Sequence, residues 1–357
     1  MRRTIALPRS AYSASPPTER SSSRRSPGGA PTSWSRRWWA RAEQRRRCAA
    51  PPRGPHIPRA SRSRSSRSSG WNAPRARDAS AARSRAPRTA SRWQPQPGRP
   101  LAGLRVLDLT RVLAGPAATR VLAGLGATVL RIDPPDWDEP AIVPEMTLGK
   151  RTARLDAREP GGRAQLHRLL SQADVLVHGY RAGALTHLGL AADERRRIRP
   201  ALIDVALTAY GWTGPWANRR GFDSLIQLST GIAQAGMQAA AADRPVPLPA
   251  QALDHATGWL LAAAVLRGVR DRAADGLGTT ARLSLARAAA ALQGVAPSAS
   301  AARLESADAS TLPADRIDTP WGAADLLHPP FTVAGVEFAF RAGPAPLGSD
   351  PAEWPET

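Results

Sequence analysis

Lysine is almost missing from this 357-residue chain: of 50 basic residues, all but Lys150 are arginine. Cysteine occurs once, at Cys48, which excludes an intrachain disulfide framework. No run of about 18 apolar residues occurs, so no membrane-spanning helix is expected. Acids are scarce over the first hundred positions, where Glu19, Glu43 and Asp78 face 24 arginines. The formal net charge of +21 therefore belongs to that stretch, and the remaining 257 residues balance 26 basic against 26 acidic side chains. Large aliphatic side chains are equally rare there, with only Ile5, Leu7 and Ile57. Ordering a residue costs about 1–2 kcal/mol of backbone entropy, which apolar burial must offset. Residues 1–99 are accordingly expected to be a disordered Arg/Ser/Pro-rich tail, dispensable for the stability of the rest.

Three readings of the tail follow from its composition. Arg45-Arg46-Arg47 and the run Ser61-Arg62-Ser63-Arg64-Ser65-Ser66-Arg67 can neutralise a phosphate backbone, with Trp34, Trp38, Trp39, Trp71 and Trp93 available to stack on bases. An Arg- and Ser-rich, acid-poor N-terminus also fits an organelle transit peptide, but many prolines interrupt it and it lacks an amphipathic period. Arg2-Arg3 has no apolar segment behind it, which speaks against export and for a cytoplasmic location. The favoured reading is the third. Arg, Ala, Pro, Gly and Ser are what GC-rich codons yield in any frame, so the tail is an extension without selected function and no nucleic-acid partner is expected.

Composition changes at Pro100-Leu101. Leu104–Leu109 is an apolar run that reads as a buried strand. A helix opens at Gly115-Pro116 with Ala118, Val121, Leu122 and Leu125 on one face, and Ala127–Asp133 reads as a second strand. This βαβ unit is followed by a helix at Gly161–Ala173, a strand at Asp174–Tyr180 and another at Ala201–Leu207. Helices are expected at Asp223–Ile232 and Asp254–Arg270, then a strand at Thr279–Leu285 and a helix at Ala286–Leu292. The alternation predicts an α/β fold, an open and mostly parallel sheet with flanking helices, over residues 100–295. Residues 296–357 read as a short, mostly irregular segment with one strand at Phe331–Phe340.

Common site chemistries do not fit. Asp133 at the end of the second strand mimics a dinucleotide fold, but the first turn, Thr110 to Pro116, lacks the G-x-G-x-x-G that phosphate needs at a helix start. Gly124 and Gly126 follow the helix and serve as its C-terminal glycines. The histidines, His56, His167, His178, His187, His255 and His328, show no metal-ligand spacing, so no metal is expected.

Longer strings are more specific. Pro100–Asp133 reads PLAGLRVLDLTRVLAGPAATRVLAGLGATVLRID, and Leu148–Asp156 reads LGKRTARLD. Ala173–Leu190 reads ADVLVHGYRAGALTHLGL, and Ala209–Gly231 reads AYGWTGPWANRRGFDSLIQLSTG. In this order and spacing they resemble the class III coenzyme A transferases, the CaiB/BaiF family, from Pro100 to about Leu292. The resemblance implies an enzyme of acyl-CoA metabolism that moves coenzyme A between carboxylic acids, with acyl-CoA and a carboxylic acid as partners and an intertwined homodimer as the assembly.

The family's nucleophile is an aspartate, and the matching string Ala252-Leu253-Asp254-His255-Ala256-Thr257-Gly258 implies Asp254. Read without the resemblance, an Asp just ahead of the alanine-rich stretch Ala256–Leu266 is an N-cap, and both roles are compatible. The implied intermediate is a covalent aspartyl-CoA thioester, with backbone N–H groups near the helix start to hold an oxyanion. The coenzyme A contacts carried over are Leu113 and Ala114 in the first turn, the pair Lys150 and Arg151, Tyr180 with Arg181, and Arg220.

Departures from the family pattern are visible. Its E-N-F is His178-Gly179-Tyr180, an arginine before its L-G-L is His187, and a cation after the second strand is Pro134. The glycine-rich lid expected beyond the nucleophile has no matching cluster before Thr357. Two rivals share the fold. A CoA-thioester racemase would need the histidine of a G-H-D string, where Gly221-Phe222-Asp223 stands. A catalytically inactive paralogue or partner subunit would fit the altered contacts.

Overall fold

The computed structural model describes residues 70–72, 93–181, 183–217, 219–295, 314–329 and 331–356. The expectations for residues 1–69 and 73–92 lie outside the described residues.

The strands are β1 (Gly70–Asn72), β2 (Arg105–Leu109), β3 (Thr128–Asp133), β4 (Lys150–Arg154), β5 (Val175–His178), β6 (Ile203–Thr208) and β7 (Thr279–Ser284). They form one sheet in the order β1-β7-β6-β5-β2-β3-β4. Six strands run parallel and β1 joins antiparallel at the edge. The helices between them are α1 (Ala114–Gly124), α2 (Val143–Met146), α3 (Pro160–Gln172), α4 (Ala184–His187), α5 (Ala192–Ile198), α6 (Asp223–Ser229), α7 (Ile232–Ala239), α8 (Ala252–Asp275) and α9 (Leu285–Gln293). From β4 through β7 this is the doubly wound order. The chain reverses direction across the sheet between β2 and β5, which opens a crevice at their carboxyl ends.

The apolar runs form central strands because both faces of a parallel sheet are covered. Val106, Val129, Val175, Val177 and Val205 pack under α1 and α8 with Leu122, Leu261 and Val265. Their neighbours Leu107, Leu130 and Leu176 point the other way, to Leu166, Leu169 and Leu170 of α3. Among the described residues, no helix is long and apolar enough to cross a membrane.

Ahead of the boundary expected at Pro100, Trp93 Nε1–H donates to the Pro100 carbonyl at 2.8 Å, and β1 at Gly70–Asn72 pairs with β7. Three expectations are corrected. The helix expected at Asp223–Ile232 is two helices, broken at Gly231, whose φ of +83° a helix interior does not allow. The strand β4 was not expected, because Lys-Arg-Thr-Ala-Arg carries no apolar run. Finally, 331–340 is not a strand beyond one isolated bridge between Gly98 and Val336. Instead a hairpin forms at β8 (Ala314–Thr319) and β9 (Gly322–Leu327).

The segment from 331 onward is a strap. Trp259, Phe331, Phe338 and Phe340 stack edge to face with centroids 5.2, 5.3 and 5.4 Å apart. Phe338 lies where a Cβ on Gly124 would stand, so the strap closes on α1 only because residue 124 is glycine. The strap then passes the open edge of β4. The Asp350 N–H donates to the Thr152 carbonyl at 2.8 Å, and Asp350 Oδ2 accepts the Thr152 N–H at 2.9 Å. It ends on the opposite face, where Trp354 is buried and its Nε1–H donates to the Leu169 carbonyl at 3.1 Å. Covering an edge strand in this way removes a row of unpaired backbone groups.

Candidate active site

Helix α8 buries a stripe that includes Asp254, Thr257, Gly258, Leu261 and Val265, spacings that repeat on one helical face. That face meets α1. A Cβ on Gly258 would stand 2.8 Å from the Ala114 carbonyl oxygen and 3.0 Å from Ala117 Cβ, so glycine is what lets the helices approach. Asp254 lies one turn earlier on the same face. It is thereby carried toward the N-terminal end of α1, where Leu113 and Ala114 sit at the mouth of the crevice.

The start of α8 corrects the capping expectation. The helix begins at Ala252, so Asp254 is its third residue and not its cap, and Gln251 in cap position makes no side-chain capping bond. Asp223, from α6, does the capping. Its Oδ2 accepts the N–H groups of Leu253 at 2.8 Å and Asp254 at 3.0 Å. Its Oδ1 accepts the side-chain amide of Gln227, one turn on, whose own Oε1 accepts the Leu248 N–H at 2.6 Å. Asp223 and Gln227 thus grip both ends of the segment 248–254. Between the grips Ala250 and Gln251 adopt left-handed φ values of 55° and 47°, which non-glycine residues reach only when their surroundings hold them there. The grip also occupies the Leu253 and Asp254 N–H groups, so they are not free to hold an oxyanion, as the sequence suggested.

Asp254 is 6% exposed. Among the described residues, no hydrogen bond to its carboxylate is present. Burial, and then the charge of Asp223 close by, push its carboxyl up to about 7. The first turn of a helix favours an anion by about 0.3–1 kcal/mol, too little to cancel such burial. The site therefore holds a poorly solvated carboxylate at neutral pH, which makes it more basic and more nucleophilic than an aspartate in water.

The β2–α1 turn is fixed from below. Asp108 accepts the Thr110 N–H at 3.0 Å, the hydroxyls of Thr110 and Thr119, and Lys150 Nζ at 3.1 Å. Burial would raise the Asp108 carboxyl, but Lys150, Arg131 and the two hydroxyls hold it below the usual carboxylate range. Val112 has a left-handed φ of 65°, and its N–H is held by Glu139 Oε2 at 3.0 Å. Glu139 Oε1 is paired with Arg131, which also forms a two-pronged bridge to Asp133.

The residues expected to meet coenzyme A fall into two groups. Leu113 and Ala114 at the start of α1, Tyr180 and the exposed Arg181 beyond β5, and exposed Arg220 are in loops or at helix starts. Arg151 is partly exposed and paired with Asp350 of the strap at 3.2 Å. Lys150 is different. Its ammonium is fully buried and donates to Asp108, to the Pro116 carbonyl at 2.9 Å and to Thr119 Oγ1 at 2.6 Å. Three donors on one nitrogen are then used inside the protein, so Lys150 has none left for a phosphate. Burial brings it down to about 8, which leaves it charged at neutral pH.

Sequence reasoning missed three contributors, Gln227, Arg111 and Trp137, and the capping role of a fourth, Asp223. Asp223 and Gln227 are four apart, a spacing that places them on one helical face, but their targets are thirty and thirty-one residues away for Asp223 and twenty-one for Gln227. Arg111 and Trp137 were also overlooked. The Arg111 guanidinium carbon lies 4.5 Å from the Trp137 ring centroid and 5.4 Å from that of Tyr180. Nothing local to either residue marks that pairing.

The chain is similar to known coenzyme A transferases. A family model described as CoA-transferase family III matches residues 101–313. The "Probable fatty acyl-CoA transferase Rv3272" of Mycobacterium tuberculosis is 34% identical over 211 residues, 55% of this chain and 53% of that protein. The succinyl-CoA:glutarate CoA-transferase of Mus musculus is 32% identical over 193 residues, 50% of this chain and 44% of that protein. The crystal structure of Rv3272 in its orthorhombic form superimposes with a TM-score of 0.51 at 32% identity, covering 56% of this chain and 58% of that one. The chain thus spans about half the length of the curated relatives it matches.

Proposed function

The chain belongs to CoA-transferase family III, and from that membership we propose that it transfers coenzyme A from an acyl-CoA thioester to a carboxylic acid through a covalent aspartyl-CoA on Asp254. The observation that carries this reading is the Asp254 carboxylate itself: buried, without a hydrogen-bond donor among the described residues, and one helical turn before Gly258, which packs on the start of α1. Both substrates, acyl-CoA and acceptor acid, would meet there.

The steps balance on that side chain. An Asp254 oxygen attacks the thioester carbonyl carbon, the C–S bond breaks, and CoA thiolate leaves an acyl-aspartyl anhydride. The thiolate attacks the aspartyl carbonyl, the donor carboxylate departs, and aspartyl-CoA remains. The acceptor carboxylate attacks that thioester and expels the thiolate, which then attacks the acceptor's acyl carbonyl and restores Asp254. Two exchanges between weak nucleophiles are thereby split into easier steps. The first-turn N–H groups of α1, at Ala114 and Gly115, are the ones left to hold the oxyanion. Leu113, Ala114, Arg151, Tyr180, Arg181 and Arg220 would contact coenzyme A, and Lys150 would support the turn from beneath. A homodimer is part of this reading. It is supported by the exposed apolar side chains of Phe222, Leu228, Leu260 and Leu292 on α6, α8 and α9 and the residue before α6. The racemase reading is disfavoured because Phe222 cannot carry a proton and Asp223 spends its oxygens on backbone and amide N–H groups.

Incubation with acyl-CoA followed by hydroxylamine should convert the Asp254 carboxyl to a hydroxamate detectable by mass spectrometry. Tight binding of acyl-CoA with no adduct would remove the covalent step, and an adduct at another carboxylate would remove Asp254 from it. A second result is expected from pH. The attacking form is the anion, so kcat/KM should rise with pH and level off above about 7. A flat profile between about pH 5.5 and about pH 8.5 would contradict the assignment.

A further inference from the structure

We propose that Arg111, packed against the rings of Trp137 and Tyr180, is an oxyanion-binding residue of this crevice, taking a phosphate of coenzyme A or the carboxylate of the acceptor acid. The proposal rests on the coenzyme A reading above and adds to it a residue that neither the sequence pattern nor the comparisons single out.

Arg111 follows β2, Trp137 lies in the loop after β3, and Tyr180 lies just after β5. Its side chain therefore spans the carboxyl ends of three adjacent strands at the point where the winding reverses, which is where an open α/β sheet binds its ligands. The neighbouring loop is rigid by construction, since left-handed Val112 is pinned by Glu139.

Four buried cations meet carboxylates: Arg131 meets Asp133, Lys150 meets Asp108, Arg195 meets Asp204 and Arg272 meets Asp174. Arg111 meets none among the described residues. Its polar contact is Tyr180 Oη, 3.4 Å from Nη2. Glu139, which binds the adjacent Val112, has both oxygens engaged, one by the Val112 N–H and one by Arg131, and Asp108, three residues before Arg111, is taken by Thr110, Thr119 and Lys150. The two rings orient the guanidinium, and among the described residues the Tyr180 hydroxyl engages only Nη2 of its donors. What remains is a planar fork of donors, held in place and matched to a carboxylate or phosphate. No cation follows the second strand, where Pro134 stands, and Lys150 is consumed in the interior. Arg111 is thus a preorganised cation at this end of the sheet.

The test uses the full chain and isothermal titration with coenzyme A and with 3′-dephospho-coenzyme A, together with the acceptor KM in the transfer assay. Arg111→Gln should weaken one oxyanion by about ten- to a hundredfold, the loss expected for a charge-assisted bond. Loss toward coenzyme A alone identifies the 3′-phosphate, and equal loss toward both nucleotides identifies the diphosphate. Unchanged nucleotide affinity with an acceptor KM raised by that factor, at constant kcat, identifies the acceptor carboxylate. Arg111→Lys, which keeps the charge but not the fork, should recover only part of the loss. Trp137→Leu leaves the cation and removes one bracket. It should weaken the same ligand by a smaller factor, and it serves if Arg111→Gln does not fold. A folded Arg111→Gln whose nucleotide affinities and acceptor KM all stay within about twofold of wild type overturns the proposal. Wild-type protein that binds neither nucleotide overturns the coenzyme A reading itself, a separate outcome.

Discussion

Asp254→Asn should reduce transfer by roughly 10⁴-fold or more, as removal of a residue at the centre of a covalent mechanism does elsewhere, while leaving the protein more stable than wild type at pH 8. The two effects have one origin. An amide cannot form the anhydride, so the covalent route closes. The same amide carries no charge into a buried position beside Asp223. The wild-type carboxyl titrates near 7 in the folded protein against about 3.9 in an unfolded chain. A value raised by folding means that the folded state binds the proton more tightly. The stability this contributes is present at low pH, declines as pH rises above about 4, and is gone above about 7. The advantage of Asp254→Asn over wild type should accordingly grow across that window, to at most about 4 kcal/mol, and then level. Capping is not at stake, since Asp223 accepts the backbone N–H groups of the first turn. Urea unfolding of both proteins at several pH values, beside a transfer assay, checks both halves. An active variant would end the nucleophile assignment, and a variant less stable than wild type at pH 8 would end the account of its surroundings.

The second large effect lies beneath the β2–α1 turn. Lys150→Met should destabilise the protein by about 3–5 kcal/mol, because it leaves Asp108 buried without its cation. Lys150→Arg should not rescue it. A compact ammonium reaches Asp108, the Pro116 carbonyl and Thr119 at once, and a planar guanidinium is too large for that nest of oxygens. Replacing Lys150 and Asp108 together, with Met and Asn, should cost less than the single change, since Asn keeps an acceptor for the Thr110 N–H and brings no charge. Denaturant midpoints of the three variants decide the matter. A Lys150→Met protein within about 1 kcal/mol of wild type would show that the pair contributes little. The same geometry explains why a chain so short of lysine keeps one here.

Much of the sheet was legible because its central strands are continuous apolar runs separated by helical periods. Arg105–Leu109, Thr128–Asp133, Val175–His178 and Ile203–Thr208 all fall within a residue or two of their expected bounds. Strand β4 was hidden for a physical reason. Its side chains find partners that no local pattern reveals: Lys150 an ion pair in the interior, Thr152 the strap, and Arg154 the carbonyls of Pro134, Pro135 and Trp137. Family-like strings drew attention to Asp254, but not to its surroundings. A cap supplied by another helix, and a guanidinium bracketed by loops after two other strands, are products of tertiary folding. Sequence spacing carries neither.

The strap that crosses the edge of β4 also sets a schedule for biogenesis. Asp350 leaves the ribosome 198 residues after the Thr152 backbone it covers, a delay of about 10–40 s at roughly 5–20 residues per second. Arg105 waits longer still for Pro355, 250 positions downstream. During that interval β4 is a bare strand edge on a nascent chain, and the ledge that later holds Trp354 is an open apolar surface. Such surfaces recruit neighbouring nascent chains when synthesis is crowded. Yield in the cell should therefore depend on translation rate and chaperone supply more steeply than the stability of the finished protein would suggest.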